Sequence, residues 1–78
     1  VRVFQKLTER RRPNMTVNGV SMPLKTAITL SEFLNEEQYD LTKIAVERNG
    51  QIVPKADYDQ TMLADGDHLE IVSFVGGG

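Results

Sequence analysis

The chain ends in the stretch ADGDHLEIVSFVGGG, residues 64–78, and this stretch decides how the rest of the fold is interpreted. Asp65-Gly66-Asp67 predicts a turn, and the alternation after it predicts a β-strand over residues 68–75. Leu69 and Ile71 fall on one face of that strand, so we expect both in the core. The strand runs into Gly76, Gly77 and Gly78, which have no side chains to pack.

The other face of the last strand starts polar and ends apolar. His68 and Glu70 come first, and we interpret them as a solvated strand face because a metal site would need further ligands around them. Exposed apolar side chains near the tail predict contact with a partner. Glu47 is out of phase with Val46, so it should face solvent on the same sheet. The predicted partner-contact residues are Glu47, Val72, Phe74 and Val75.

Two Asn-Gly dipeptides, at positions 18–19 and 49–50, predict tight hairpins, because both central residues of such a turn need positive φ. The strands predicted around them are 15–17, 20–24, 43–48 and 51–53. Pro23 has no N–H to donate, which places the second strand at a sheet edge. Pro54 should end the fourth strand for the same reason.

One short helix is predicted over residues 30–37. Thr29 and Glu32 have the spacing of a capping box, and Leu30, Phe33 and Leu34 form an apolar stripe behind it. Residues 61–63 predict a brief extended piece, and Tyr58 is expected to cover the core. The resulting order, ββαβββ, predicts an α+β domain with a mixed sheet of four to five strands on one main helix.

Composition limits the chemistry available to this chain. Its 78 residues suffice for one domain, and 40% apolar with 26% charged residues is typical of a globular protein. The absence of Cys excludes disulfides, thiolate zinc sites and thiol nucleophiles. No nucleophile–base pair, phosphate loop or ligand cluster is visible in the sequence. We therefore expect that the chain is not an enzyme and that it binds no cofactor or metal. The sequence contains no apolar run of the kind that predicts a signal peptide or a membrane span, and we expect a cytoplasmic protein.

Charge divides the chain into two parts. Residues 1–14 contain five basic residues and one acidic residue, a net charge of +4, whereas the remaining residues carry −6. We interpret 1–14 as an extension, either a disordered arm or a segment ahead of a native start at Met15, with 15–75 as the domain and 76–78 as a flexible tail. A nucleic-acid or membrane patch is the third interpretation. The acidic domain and the lack of interleaved aromatic residues argue against nucleic acid.

Several segments together resemble the ubiquitin-like β-grasp sulfur carriers, and among these the ThiS family of the thiamine pathway. The segments are MTVNG at 15–19, VERNGQIVP at 46–54, Tyr58, ADGDHLEIV at 64–72 and the glycine tail. Each is common alone, but their order and spacing are specific together. The resemblance covers residues 15–78 and implies a β-grasp fold.

The resemblance also implies a protein substrate. An E1-like activating enzyme (ThiF-type) would adenylate the carboxylate of Gly78 with ATP and Mg²⁺, and a sulfur-donor protein would supply sulfur for a thiocarboxylate. Gly76 and Gly77 would thread the tail into the active site. Thiazole synthase (ThiG-type) would consume the sulfur, and the free chain would be a monomer without nucleic-acid or membrane partners.

Three alternatives remain open at this point. The small subunit of molybdopterin synthase (MoaD-like) is also a β-grasp carrier ending in Gly-Gly, although it usually has a longer body and helix. A ubiquitin-like modifier would place Gly78 in isopeptide bonds. A plain interaction module would bind its partner without residues 77–78.

Overall fold

The computed structural model describes residues 13–25 and 27–74. Five strands, one α-helix and two short 3₁₀ helices make up this part of the chain. The strands are β1 (Asn14–Val17), β2 (Val20–Pro23), β3 (Ile44–Arg48), β4 (Gln51–Ile52) and β5 (His68–Ser73). The helix is α1 (Leu30–Glu36), and the 3₁₀ helices are Leu41–Lys43 and Lys55–Asp57. The predicted order ββαβββ is confirmed.

Both Asn-Gly dipeptides form the predicted hairpin turns. Asn18 and Gly19 have φ angles of 52° and 83°, and Asn49 and Gly50 have 53° and 86°. Such left-handed pairs match the twist of the flanking strands, which explains why two residues suffice to reverse the chain. Pro23 ends β2 at the edge of the sheet, as predicted.

The five strands form one mixed sheet in the order β2-β1-β5-β3-β4. β1 and β5 pair in parallel, with Val17 beside Leu69, while the other pairs are antiparallel. Parallel neighbours need a long crossover connection. The chain between β1 and β5, which includes α1, supplies this connection. β5 is third in the strand order and therefore lies at the centre of the sheet.

The start of α1 follows the predicted capping box. The Glu32 N–H donates to Thr29 Oγ1 over 3.1 Å, and the Thr29 N–H donates to Glu32 Oε1 over 2.9 Å. Both donors would otherwise lack partners at the first turn of a helix. The helix ends one residue before the predicted boundary. It buries the expected stripe of Leu30, Phe33 and Leu34.

The extended piece predicted at residues 61–63 does not join the sheet. Met62 forms one isolated bridge with Thr29, and the neighbouring bonds run from the Leu63 N–H to Ile28 O and from the Leu30 N–H to Thr61 O. This piece therefore pairs with the segment that leads into α1. This partner segment lies outside the sheet. The alternation of apolar and polar residues within 61–63 cannot predict which segment they pair with.

The core lies between the helix and one face of the sheet. Leu69 and Ile71 are buried as predicted, and so is Tyr58. The full buried set is Met15, Val17, Ile28, Leu30, Phe33, Leu34, Ile44, Val46, Tyr58, Leu63, Leu69 and Ile71. Because side chains alternate along a strand, the opposite face of the sheet is left to solvent.

Candidate functional site

The exposed face of the sheet carries the three described residues that we predicted as partner contacts. Val72 keeps 57% of its surface exposed and Phe74 keeps 52%, and Glu47 is also exposed. The register places Ala45 opposite Val72 and Glu47 opposite Glu70. One end of the face is therefore apolar, and the middle is acidic.

Ile52 extends this surface toward the outer strand. It lies opposite Glu47 in the β3–β4 pair and is 70% exposed. Residues directly opposite on one face have Cβ atoms about 4.5–5.5 Å apart, so Ile52, Glu47 and Glu70 form a continuous row. Neither carboxylate of the row has an ion pair among residues 13–25 and 27–74. We call the surface formed by Ala45, Glu47, Ile52, Glu70, Val72 and Phe74 the outer face.

His68 lies at the polar end of β5 and belongs to the solvated side of the same face, as predicted. Its Nδ1 lies 2.6 Å from Thr16 Oγ1 on the neighbouring strand.

In the part of the chain that the structure describes, no three His, Asp or Glu side chains are grouped so that they could hold a metal ion. None of the described helices has the length and apolar character needed to span a bilayer.

The end of β5 is followed in the sequence by Val75 and the glycine tail. The Phe74 N–H donates to Lys43 O over 2.7 Å, which keeps the chain paired with the start of β3 through residue 74. β5 itself ends at Ser73, earlier than predicted. Val75, Gly76, Gly77 and Gly78 lie outside the described residues, so the roles assigned to them stay predictions.

Asn18 holds β5 from one side. Its backbone N–H donates to Leu69 O over 2.8 Å. Its side-chain Oδ1 accepts from the Ile71 N–H over 2.7 Å, and its Nδ2 donates to Ile71 O over 3.2 Å. The amide thus bonds to β5 as one residue of a neighbouring strand would. It continues the pairing past the point where β1 has turned away.

Asn49 holds β5 from the other side, at its beginning. Its backbone N–H donates to His68 O, and its Oδ1 accepts from the His68 N–H over 2.9 Å. Its Nδ2 donates to Asp67 Oδ1 over 3.0 Å. Both turn asparagines therefore position the strand that precedes the tail. Sequence reasoning assigned them only to the turns, because their bonding partners are far away along the chain.

Asp67 is the buried polar centre beside this strand. The Asp65-Gly66-Asp67 turn is confirmed, with a φ of 87° at Gly66. Asp67 is only 5% exposed, and its Oδ2 accepts from Arg48 Nε over 2.9 Å and from the Ala64 N–H over 2.8 Å. Sequence reasoning treated this aspartate as a turn residue and missed its ion pair.

The electrostatics of Asp67 follow from these contacts. Burial would raise the pKa of the Asp67 carboxyl, since a charged group loses hydration. The hydrogen bonds from Asn49, Ala64 and Arg48, together with the charge of Arg48, outweigh burial and hold the pKa below its ordinary value. The carboxylate therefore stays ionised and ties the start of β5 to the second hairpin.

The described arrangement is suited to binding. It has a central strand, hydrogen-bonded to Asn18 and Asn49, and an exposed apolar and acidic face beside the end of that strand. Apolar exposed patches of this kind mark contacts with other proteins. Phe74, the last described residue, belongs to the apolar end of this face.

Comparisons with known proteins agree with this architecture. The family model described as ThiS family matches residues 1–78, a range that includes the extension we had set apart. The sulfur carrier protein ThiS of Bacillus subtilis is 42% identical over 64% of this chain and 76% of its own length. A crystal structure of the thiamine biosynthesis protein ThiS from Geobacter metallireducens is 32% identical, covers 83% of this chain and 99% of its own, and has a TM-score of 0.70. The predicted ubiquitin-like β-grasp fold is confirmed.

Two further relatives are much longer than this chain. The thiazole synthase of Paramagnetospirillum magneticum is 45% identical over 82% of this chain, and that of Magnetococcus marinus is 34% identical over 80%. The chain spans 20% and 19% of these two proteins. A segment similar to this domain is therefore part of each of them.

Proposed function

The chain belongs to the ThiS family, and from this premise we propose that it is a sulfur carrier for thiamine biosynthesis. Its C-terminal Gly78 is adenylated and converted to a thiocarboxylate, which donates sulfur for formation of the thiazole ring. The chain acts as a protein co-substrate, and the catalytic groups belong to its partners.

The observation that carries the proposal is the position of β5. This strand lies at the centre of the sheet, is bonded on both sides, and leads past Val72 and Phe74 toward the glycines that end the sequence. A protein surface that binds the outer face is therefore close to the base of the tail. Gly76 and Gly77 have no Cβ, so they suit a narrow passage into an active site.

The chemistry explains why the carrier needs no catalytic side chains. A carboxylate is a poor electrophile. Attack of the Gly78 carboxylate oxygen on the α-phosphorus of ATP releases pyrophosphate and leaves an acyl-adenylate. The terminal sulfur of the donor then forms a bond to the carbonyl carbon while the C–O bond to AMP breaks. When the donor is a protein persulfide, a thiol next attacks the S–S bond of the resulting acyl disulfide, which releases the Gly78 thiocarboxylate and leaves a disulfide on the donor side. The ThiF-type activating enzyme supplies the ATP and Mg²⁺ sites for this sequence.

The partners are the activating enzyme, a sulfur-donor protein and a ThiG-type thiazole synthase. Support for the last comes from the two thiazole synthases that contain a segment similar to this chain, since domains joined in one protein often act together. We assign contact with these enzymes to Glu47, Val72, Phe74 and Val75. Acidic charge on the outer face would also speed association with a basic enzyme surface.

Intact mass spectrometry tests the proposal. The chain is incubated with the ThiF-type enzyme from the same genome, ATP, Mg²⁺ and a sulfur source, and fragmentation locates any change. We expect a gain equal to exchange of one oxygen for one sulfur at Gly78. Isopeptide-linked products would instead indicate a modifier, and sulfur transfer by the modified chain acting as the small subunit of molybdopterin synthase would indicate the other carrier family.

A variant with one residue appended after Gly78 is the matched control. It leaves every residue of the described domain unchanged, so its fold and its binding through the outer face should persist. We expect no adenylation, because the carboxylate no longer belongs to the glycine at the reacting position. Normal ATP-dependent activation of this variant would contradict the carrier mechanism.

A further inference from the structure

Among the described residues, the final part of β5 is paired on one side only. Toward β3, the Asn49 N–H donates to His68 O over 2.8 Å and the Phe74 N–H donates to Lys43 O over 2.7 Å. Hydrogen-bonded positions in an antiparallel pair recur at every second residue. The backbone groups of residues 68, 70, 72 and 74 therefore point toward β3. Those of residues 69, 71 and 73 point toward β1.

The β1 side provides partners for the first two of these three residues. Leu69 O accepts from the Asn18 N–H, and both backbone groups of Ile71 bond to the Asn18 side chain. Ser73 is the next residue in phase and is exposed. Its N–H and C=O have no partner among residues 13–25 and 27–74. Within the part of the chain that the structure describes, the strand edge at Ser73 is therefore unpaired.

The two outer edges of the sheet, at β2 and β4, are less suited to pairing with an added strand. Pro23 on β2 lies opposite Asn14 at a position whose backbone nitrogen points away from β1, and proline has no N–H to offer. Val53 donates to Val46 O, so Pro54 at the following position also faces outward. Proline protects sheet edges against strand addition. The edge at Ser73 has no proline.

We propose that an extended segment of the activating enzyme adds to the sheet beside β5 and bonds to the backbone of Ser73; this inference rests on the proposed function. The enzyme must bind close to Ser73, because the sequence reaches its reacting residue, Gly78, only five positions later. Covering Ser73 without partners for its N–H and C=O would cost free energy, whereas an added strand bonds to both. The exposed Val72 and Phe74 continue the same contact onto the outer face.

Replacing Ser73 by proline tests the proposal, with Ser73→Ala as the matched control. Proline removes the N–H that points away from β3 and leaves the bonds between β3 and β5 intact, since Ser73 and Ile44 are not a hydrogen-bonded pair. Alanine removes the hydroxyl but keeps the N–H. Circular dichroism establishes that both variants fold, and calorimetry measures their affinity for the activating enzyme without ATP.

We expect Ser73→Ala to bind within about twofold of the natural chain and Ser73→Pro to bind about tenfold more weakly, a difference of about 1.4 kcal/mol. Equal affinities of the two variants would overturn the proposal. Failure of the proposed function is a separate outcome, because the natural chain would then be neither bound nor modified by the enzyme.

Hydrogen exchange on the natural chain provides a second test that needs no variant. In the saturated complex with the activating enzyme, the Ser73 amide should exchange about tenfold or more slowly than in the free chain, as a newly bonded N–H would. The Val72 amide already faces β3 and should change less. Unchanged exchange at Ser73 would overturn strand addition even if Ser73→Pro fails to fold.

Discussion

Replacing Asp67 by alanine should destabilise this domain far more than its place in a surface turn suggests. The change removes the acceptor for Arg48 Nε, Asn49 Nδ2 and the Ala64 N–H, at distances of 2.9, 3.0 and 2.8 Å. Breaking a buried ion pair by removing one partner costs about 3–5 kcal/mol. The Arg48 side chain is 30% exposed and regains some hydration, so the lower end applies, about 3 kcal/mol.

Urea unfolding followed by circular dichroism measures this loss. Thermal unfolding gives a second measurement. For a domain of this size, 1 kcal/mol corresponds to about 4–8 °C in melting temperature, so Asp67→Ala should melt about 12–24 °C lower. Asp59→Ala is the matched control, because Asp59 is exposed and the substitution removes the same charge. If the two variants differ by less than about 1 kcal/mol in free energy of unfolding, the buried role of Asp67 is wrong.

Three further predictions concern pH, the first turn and the outer face. The pKa of Asp67 is lowered in the folded chain, so its stabilising contribution is present above the unfolded pKa of about 3.9 and is lost as pH falls through the folded pKa; Asp67→Asn should flatten this acid dependence in urea titrations, and an unchanged slope would contradict it. Asn18→Gly keeps the positive φ of the turn but removes both side-chain bonds to Ile71, so it should lower the free energy of unfolding by about 1–2 kcal/mol and speed exchange of the Ile71 amide; unaltered exchange would remove Asn18 from this role. Phe74→Asp should weaken binding to the activating enzyme or thiazole synthase more than it lowers stability, because the ring is 52% exposed. Phe74→Leu, which keeps an apolar side chain, is the control. A folded Phe74→Asp variant that binds as tightly as the natural chain and this control would exclude Phe74 from the interface.

Much of the fold follows from local patterns. Asn-Gly at 18–19 and 49–50 predicted both hairpins, since the need for two positive φ angles depends only on the turn. Thr29 and Glu32 predicted the start of the helix in the same local way. Alternation along 68–74 predicted which side chains of β5 are buried and which face solvent. These features depend on neighbours a few residues apart.

The features that sequence reasoning missed depend on distant partners. The Asn18 side chain bonds to a residue 53 positions later, and Arg48 pairs with Asp67 across 19 positions. An asparagine already explained by its turn gives no signal that its amide has a second role. The free edge at Ser73 is equally invisible in the sequence, because it depends on where β1 stops and on the hydrogen-bonding phase of β3.

The central position of β5 also determines when this chain can fold during synthesis. Without β5, β1 and β2 form one hairpin and β3 and β4 another, with no strand to join them. Isolated two-stranded hairpins are marginally stable at best in water. β5 is also the last of the five described strands in the sequence, so the sheet can close only after residues 68–73 have been synthesised. A prematurely truncated chain lacks the assembled outer face, and an enzyme that binds this face would discriminate against unfinished products.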